Sequence, residues 1–366
     1  MNEKIRILYV VSNLARKGPV NQLYYLISNL DNMKFEYRVL TLSPEPTDSL
    51  HKSYVDAGIL VESLSLSRLS SLVMGKFKLK NYLDIYKPHI LQTQGIRADS
   101  FASNICDIPW ITTSRNFPEE DYPSKFGLLK GGVMARAHVK LFRKCKYLVS
   151  CSNSIMDKLN TIGITSRVIA NGVPEIFLQS FRNLAEDNII KLISIGSLIP
   201  RKNMGFLIEF SEMLERKGID HSLTILGDGP MIETLKIKAS SKVIFAGNVK
   251  NVQEYLLDSD ICLSSSVSEG LPNTILEAIS AGLPLVLSDI PPHKEIAEKL
   301  PSDSFHMFPL DEKPYTLANK FEKFFASMKN VNKSLIVESA NVNFGAKNMS
   351  KSYQKLYIEC LNESEL

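Results

Sequence analysis

Short, almost continuous apolar segments alternate with longer helical patterns along the chain, and this alternation limits the possible folds more than any other feature. Apolar residues at consecutive positions are typical of strands that are covered on both faces. Strands that alternate with helices in this way predict parallel, doubly wound α/β sheets. The predicted strands form two sets of about five: 5–11, 37–42, 90–93, 110–113 and 147–150, then 191–195, 223–226, 243–246, 261–264 and 284–288.

The two sets of strands predict two Rossmann-like domains in series, and a length of 366 residues suits two domains. We place the first domain at residues 1–175 and the second at residues 176–345, with a strandless stretch up to about residue 188 between the two sets. For residues 346–366 we predict a C-terminal helix that packs back on the first domain. Ligands of such sheets bind at the carboxyl ends of the strands, so we expect a site where the two domains face each other across a cleft.

The composition is that of a globular protein, with 44% hydrophobic and 22% charged residues, which excludes a disordered or fibrous chain. The net charge of +4 is unevenly distributed, since residues 1–175 hold 23 basic and 15 acidic side chains and residues 176–366 hold 20 and 24. Only the first half is therefore expected to meet an anionic partner. One tryptophan and no known binding motif argue against a nucleic-acid partner.

The cysteines and the apolar segments predict a cytoplasmic protein. The five cysteines form no CxxC pair, so neither a disulfide framework nor a zinc site is expected. No apolar segment approaches the roughly 18 residues needed to cross a bilayer. The apolar run at residues 7–11 is short and lacks a small-residue cleavage site, which favours a buried first strand over a signal peptide.

Residues 268–284 carry the most informative pattern: two glutamates, Glu269 and Glu277, around a Gly-Leu-Pro-Asn turn that opens a helix. The free N–H groups and the dipole at such a helix start favour an anion. Glu277 shares a face with Asn273 and Thr274 on a mostly apolar helix. A buried, ionised glutamate is unfavourable without hydrogen bonds, so Glu277 requires either the vicinal hydroxyls of a ligand or a nearby basic residue. Glu269, in the turn, is placed to accept hydrogen bonds from sugar hydroxyls.

The turn after the first strand of the second half carries adjacent basic residues. The strand ends in Gly196, and Arg201 and Lys202 follow shortly before a helix. The planar fork of an arginine and the point charge of a lysine suit a diphosphate, although such a pair is also common on solvated surfaces. In the first domain, the loop after the first strand holds only Gly18 and lacks the GxGxxG fingerprint, which argues against a dehydrogenase.

Together these residues resemble the retaining glycosyltransferases of family 4, which have the two-domain GT-B fold. The resemblance covers almost the whole chain, and its most specific part runs from Glu269 to Glu277 and on to Gly282 and Pro284. The chain is also similar to enzymes that build bacterial capsule or lipopolysaccharide glycans. The resemblance implies hexosyl transfer from a nucleotide-sugar, above all a UDP-sugar, to a glycan or a polyprenyl-diphosphate-linked glycan.

The resemblance also implies roles for particular residues. Glu269 would contact the donor sugar, Glu277 would hold the ribose, and Arg201 and Lys202 would neutralise the departing diphosphate, so catalysis would be mostly electrostatic. No cofactor and no metal ion are implied, in keeping with the lack of a DxD motif in a plausible loop. The implied donor-binding residues are Gly18, Gly196, Gly270, Leu271, Asn273, Thr274 and Glu277.

The chain departs from the family pattern at three positions. Many relatives have Gly-Gly where this chain has Gly18-Pro19, and many have arginine in place of Ser197. Arg115, followed by Asn116, stands where relatives often place a histidine that faces the acceptor. An arginine cannot serve as a general base at neutral pH, so Arg115 either binds an anionic group of the acceptor or is a surface residue.

The first domain contains two basic, acid-free intervals. Between Asp121 and Asp157 there are seven basic residues interleaved with apolar ones, and between Glu62 and Asp84 there are four: Arg68, Lys76, Lys78 and Lys80. Basic amphipathic segments suit an anionic membrane surface, which predicts a peripheral position on the inner face of the cell membrane. The alternative is an ordinary solvated helix face whose apolar side lies in the core.

Two other functions remain open from the sequence. A sugar-nucleotide epimerase or hydrolase of the same fold would consume the donor without an acceptor. A non-catalytic scaffold subunit that binds a sugar nucleotide is consistent with Arg115. The presence of four residues argues against it: Glu269, Glu277, Arg201 and Lys202.

Overall fold

The computed structural model describes residues 3–105, 107–175 and 189–363. The chain divides into two compact units, Met1–Gly172 with Ala346–Leu366, and Val173–Gly345. The predicted domain boundary and most of the predicted strandless stretch fall at residues 176–188, outside the described residues, as does Cys106. The other cysteines, Cys145, Cys151, Cys262 and Cys360, are buried.

The first unit is built on a parallel sheet with the strand order β3-β2-β1-β4-β5-β6-β7. Its strands are β1 (Ile5–Val11), β2 (Phe35–Thr41), β3 (Leu60–Ser63), β4 (Ile90–Gln94), β5 (Trp110–Ser114), β6 (Tyr147–Ser150) and β7 (Arg167–Val168). Its helices are α1 (Gly18–Ser28), α2 (His51–Asp56), α3 (Arg68–Tyr86), α4 (Ile96–Ala102), α5 (Pro118–Phe126), α6 (Leu128–Phe142), α7 (Asn153–Thr161) and the C-terminal α15 (Ala346–Asn362).

The second unit is built on a parallel sheet with the order β10-β9-β8-β11-β12-β13. Its strands are β8 (Ile190–Ile195), β9 (His221–Leu226), β10 (Val243–Gly247), β11 (Ile261–Ser264), β12 (Leu285–Ser288) and β13 (Phe305–Phe308). Its helices are α8 (Met204–Arg216), α9 (Ile232–Lys238), α10 (Val252–Leu257), α11 (Asn273–Ser280), α12 (Pro291–Ala297), α13 (Pro314–Met328) and α14 (Lys333–Phe344), with a 3-10 turn at Pro200–Lys202.

The ten predicted strands are all present, with ends that differ by at most a few residues, but the expectation of about five strands in each sheet was wrong. The sequence analysis missed β3, β7 and β13. All three are short strands at the edges of the sheets. Two residues of β3 are exposed and β7 has only two residues, so neither presents the continuous apolar run that marks a strand covered on both faces.

The helix α15 packs on the first unit through an apolar stripe that carries two buried tyrosines. The hydroxyl of Tyr357 donates to Gln92 Oε1 at 2.6 Å and lies 3.0 Å from the hydroxyl of Tyr9. The hydroxyl of Tyr353 lies 2.8 Å from Thr113 Oγ1. Both rings belong to the same apolar core as the buried residues of α1. The last helix of the chain therefore completes the core of the first unit.

Pro19 lies in the first turn of α1, where its missing N–H costs no hydrogen bond. The Gly18-Pro19 pair is therefore compatible with a helix that begins directly after the loop of β1. No helix in the described part of the chain is long and apolar enough to cross a membrane.

Candidate active site

The candidate site of the second unit lies at the carboxyl ends of β8 and β11. These neighbouring strands mark the point at which the strand order reverses. Chain connections leave such a switch point in opposite directions and open a crevice there, which is the usual ligand position in an open α/β sheet. The segment after β8 carries Arg201 and Lys202, and the segment after β11 carries Glu269.

Hydrogen bonds to backbone carbonyl groups hold these two segments together. The N–H of Val267 donates to the Arg201 carbonyl at 2.9 Å. The Ser265 hydroxyl donates to the carbonyls of Asn203 and Lys202 at 2.8 and 3.2 Å. Asn203 ends the 3-10 turn in the left-handed region, with φ of 49°, a conformation that asparagine tolerates better than most residues. The positions of Arg201 and Lys202 are thus set by the segment that carries Glu269.

The three residues that the resemblance marks as catalytic form one buried ionic cluster. Lys202 Nζ lies 2.5 Å from Glu269 Oε1, and Arg201 Nη1 lies 2.8 Å from Oε2. Arg201 also donates to the carbonyl of Ser268. Burial by itself raises the pKa of the Glu269 carboxyl, but the charges of Lys202 and Arg201 outweigh that effect and lower the pKa to about 2. Glu269 is therefore a carboxylate at any physiological pH.

Glu277 has a different environment, although it lies only about one turn along α11. Its side chain is partly buried, and burial raises the pKa of the carboxyl to about 7. Among the described residues, no side chain forms an ion pair with it, so the alternative of a basic partner is wrong for this part of the chain. A carboxyl group that is desolvated and unpaired suits a ligand that brings its own hydroxyl donors.

The helix α11 begins at Asn273 and is followed by Gly282, whose φ of 74° ends the helix in the left-handed region. Asn273 and Thr274 form its first turn and are partly buried, while Gly270 and Leu271 just before it are buried. The predicted donor-binding residues of this segment therefore lie together between Glu269 and Glu277.

Two glycines allow the turns after β8 and β9 to approach each other. A Cβ atom on Gly196 would lie 3.1 Å from Lys202 Cε, so the lysine side chain passes directly over this glycine. Gly227 has a φ of 127°, and a Cβ atom there would lie 2.1 Å from the carbonyl oxygen of Gly196. A side chain at Gly227 would therefore displace the turn that leads to the ionic cluster.

His293 is a site residue that the sequence analysis missed. It is fully buried on α12, where its Nδ1 donates to the Ser288 carbonyl at 2.9 Å and its Nε2 lies 3.3 Å from Ser264 Oγ. Burial lowers the pKa of the imidazole to about 4, so the ring is neutral near pH 7. The Ser288 hydroxyl in turn donates to the Ser266 carbonyl at 2.5 Å. His293 thus supports the segment that carries Glu269, and a single histidine without a spacing pattern gave no sequence signal.

The predicted residues of the first unit lie at the carboxyl ends of its strands. Gly18 begins α1 after β1, and Arg115 and Asn116 follow β5. Arg115 is partly buried, donates from Nη1 to Asn171 Oδ1, and has a buried Nε without a partner among the described residues. The side chain of Asn171 therefore holds Arg115 at one end, in contrast to a fully solvated surface arginine. The Asn116 carbonyl accepts a hydrogen bond from the Ser114 hydroxyl at 2.9 Å.

The described residues contain no group of three or more histidine, cysteine, aspartate or glutamate side chains that could hold a metal ion.

Two family models match the chain, one in each half. The model described as Glycosyltransferase Family 4 matches residues 16–175, and the model described as Glycosyl transferases group 1 matches residues 190–326.

The curated relatives that are similar to this chain include two glycosyltransferases from different organisms. The capsular polysaccharide biosynthesis glycosyltransferase CapH of Staphylococcus aureus is 25% identical over 341 residues, which cover 89% of this chain and 92% of CapH. An uncharacterized glycosyltransferase of Methanocaldococcus jannaschii is 30% identical over 151 residues, 38% of this chain and 37% of that relative. The match with CapH therefore covers most of both chains, whereas the match with the archaeal relative covers just over a third of each chain.

The fold is similar to that of HepE from Anabaena, solved in complex with UDP-glucose. The TM-score is 0.78 at 15% sequence identity, and the match covers 97% of this chain and 99% of HepE. At this identity the likeness shows the fold, two Rossmann-like units of the GT-B type.

Proposed function

Because the chain belongs to the family 4 glycosyltransferases, we propose that it transfers the sugar of a UDP-sugar, with retention of configuration, to a glycan or lipid-linked glycan during synthesis of a bacterial surface polysaccharide. The buried cluster of Arg201, Lys202 and Glu269 carries this proposal. The UDP-glucose bound by HepE supports the choice of donor, and the role named for CapH supports the choice of pathway class.

The ionic cluster fits the leaving group of this reaction. Arg201 and Lys202 together carry one more positive charge than the Glu269 carboxylate neutralises. Negative charge develops on the diphosphate as the bond to the sugar breaks, and fixed cations in a buried site stabilise it without rearranging. We propose that these two side chains hold the diphosphate while Glu269 accepts hydrogen bonds from the sugar hydroxyls.

The start of α11 fits the rest of the donor. The backbone of residues 270–274 would contact the sugar and phosphates, because the positive end of a helix dipole favours an anion. Glu277 would accept hydrogen bonds from the vicinal ribose hydroxyls, which would offset its desolvation. Since two side-chain cations and this helix end would face the diphosphate, we propose that the reaction requires no metal ion or other cofactor.

The first unit is proposed to bind the acceptor. Arg115 follows β5, and no described residue forms a hydrogen bond with its buried Nε, which suits an anionic group such as the diphosphate of a polyprenyl-linked glycan. Gly18, at the start of α1 after β1 on the same edge of this sheet, would let the loop approach the donor. A lipid-linked acceptor would place the enzyme at the inner face of the cell membrane.

A thermal-shift comparison of the wild type and Glu277→Ala with UDP, GDP, ADP and their sugar conjugates tests the donor site. A ligand at about 100 times its Kd adds about 2.7 kcal/mol to the free energy of unfolding. We expect UDP compounds to stabilise the wild type and not Glu277→Ala. Glu322→Ala, which removes an exposed glutamate of α13, is the matched control and should respond like the wild type.

The outcomes separate the proposed transferase from its alternatives. Stabilisation by UDP compounds together with sugar transfer to an added acceptor supports the proposal. Consumption of the donor without an acceptor would indicate the epimerase or hydrolase. Donor binding without any turnover would favour the scaffold, and the absence of a response to every nucleotide would contradict the donor site.

A further inference from the structure

The hairpin formed by α5 and α6 presents unusually exposed apolar side chains. Leu128 and Leu129 are 84% and 90% exposed, and Val133, one turn further along α6, is 67% exposed. Phe126, at the end of α5, is 45% exposed. We call these four residues the hairpin tip. Large apolar side chains are rarely this exposed as a contiguous group unless the surface has a binding partner.

Leu129 and Val133 lie on the side of α6 opposite its core-facing stripe, and Leu128 is exposed at the first position of the helix. Gly131, Ala135 and His138 belong to the buried side of the helix. Leu129 and Val133 instead share a helix face with the exposed Arg136 and Lys140. The alternative prediction, an ordinary solvated helix face with its apolar side in the core, is confirmed for Ala135, Val139 and Phe142 but not for Leu129 and Val133.

A buried polar network fixes the hairpin to the sheet, so the tip is not exposed through loose packing. His138 Nε2 donates to Asp99 Oδ2 at 2.7 Å, and Asp99 Oδ1 accepts hydrogen bonds from Thr93 and Thr112 at 2.5 and 2.8 Å. The Tyr122 hydroxyl of α5 lies 2.9 Å from His138 Nδ1. Asp99 is fully buried and His138 is almost so.

The two helices of the hairpin are also in close contact. A Cβ atom on Gly131 of α6 would lie 2.4 Å from the Tyr122 carbonyl oxygen of α5. Close backbone contact and the buried network together present the tip as a rigid edge.

The basic residues around the tip favour an anionic partner. Residues 122–156 contain seven lysines and arginines and no acidic residue. Lys130, Arg136 and Lys140 form no ion pair with a described residue, and Lys130 Nζ lies 5.6 Å from the centre of the Phe126 ring. A second copy of the chain would bring this basic surface against itself if the contact were symmetric, which is unfavourable.

We propose that the hairpin tip docks on an anionic lipid bilayer, with Leu128, Leu129 and Val133 inserted among the acyl chains and the neighbouring basic residues at the headgroups. Aliphatic insertion combined with basic headgroup contacts is the mode of binding of interfacial helices. The inference rests on the proposed function, because a lipid-linked acceptor is found in that bilayer. The tip also lies at the end of α5, the helix that begins shortly after Arg115 at the carboxyl end of β5.

Flotation of the full-length protein with vesicles tests this surface. One set of vesicles contains phosphatidylglycerol and phosphatidylcholine in equal amounts, and the other contains phosphatidylcholine alone. We expect binding only to the anionic vesicles and about tenfold weaker binding for Leu129→Ser, because an inserted leucine contributes roughly a factor of ten. Ile237→Ser is the matched control, since Ile237 is 86% exposed on α9 and lies between two lysines.

The possible results are distinct. Equal binding of wild type and Leu129→Ser, or no binding to anionic vesicles, would overturn the proposal. Binding that Lys130→Gln with Lys140→Gln abolishes but Leu129→Ser leaves intact would indicate a purely electrostatic surface, which also contradicts insertion. A dimer that Leu129→Ser dissociates in light scattering would assign the tip to self-association. The thermal response to UDP, measured on every variant, reports separately on the donor site.

Discussion

Lys202 Nζ lies 2.5 Å from Glu269 Oε1, across 67 residues of sequence. The contact joins the turn after β8 to the turn after β11, and Arg201 occupies the other carboxylate oxygen at 2.8 Å. The single carboxylate compensates two buried cations, so removing it would leave both cations without a counter-charge, which is strongly destabilising. The cluster therefore acts both in the stability of the second unit and in the proposed chemistry.

Glu269→Gln should lower the free energy of unfolding by about 3 kcal/mol, since it leaves the two buried cations Arg201 and Lys202 without their anion. The double variant Glu269→Gln with Lys202→Ala should recover part of this loss, because one of the two uncompensated cations is removed as well. Urea denaturation of both variants and of Lys202→Ala measures the coupling. Strictly additive effects would show that the pair is energetically independent.

The pH dependence of stability should report on Glu277. Its folded-state pKa of about 7 lies above the ordinary value of 4.5, so the folded protein binds more protons than the unfolded chain between these pH values. The contribution of Glu277 is therefore fully present below pH 4.5 and is lost as the pH rises to 7, by about 3 kcal/mol.

Glu277→Gln, which does not titrate, should lack this loss. Denaturant unfolding from pH 4.5 to 8 measures the free energy of unfolding of the wild type and of the variant. The contributions of all other titrating groups cancel in the difference between the two proteins. Parallel curves for the two proteins would contradict the raised pKa.

His293 should contribute a pH dependence of the opposite sign. Its folded-state pKa of about 4 lies below the ordinary value of 6.5, so the unfolded chain binds more protons between these values, and stability falls as the pH drops through this window. His293→Asn should flatten that acid-side fall and keep a donor for the Ser288 carbonyl.

His293→Leu removes this donor and should reduce sugar transfer more than His293→Asn does, because the segment that carries Glu269 loses support. The turnover rates of the two variants are compared at saturating donor concentration. Equal turnover in both would show that the hydrogen bond to Ser288 does not position the site.

Gly227→Ala should be far more destabilising than Gly218→Ala. Both glycines have a positive φ, but a Cβ atom at Gly218 meets no atom within 4 Å, whereas at Gly227 it would overlap the Gly196 carbonyl. Gly218→Ala should cost about 1–2 kcal/mol from the backbone conformation alone, and Gly227→Ala more than about 3 kcal/mol. Thermal unfolding of both variants measures this, and similar losses would contradict the close approach of the two turns.

The sequence alone determined the fold class, because strand and helix periodicities are local and repeat along each half. It also identified Glu269, Glu277, Arg201 and Lys202 as candidates, since each lies in a short motif of turn, helix start and charge. The short edge strands β3, β7 and β13 escaped this reasoning, because their pairing comes from a neighbouring strand more than from their own residues.

Only the tertiary structure decided how the candidate residues are paired. Glu269 is held by two cations while Glu277, eight residues later, has no charged partner among the described residues, and the two carboxyl groups have opposite pKa shifts. His293 reaches the same segment from another strand–helix unit, and Leu129 is exposed although its helix buries other residues. Burial and pairing depend on residues that are distant in sequence, so a local pattern can name such side chains but cannot determine their environment.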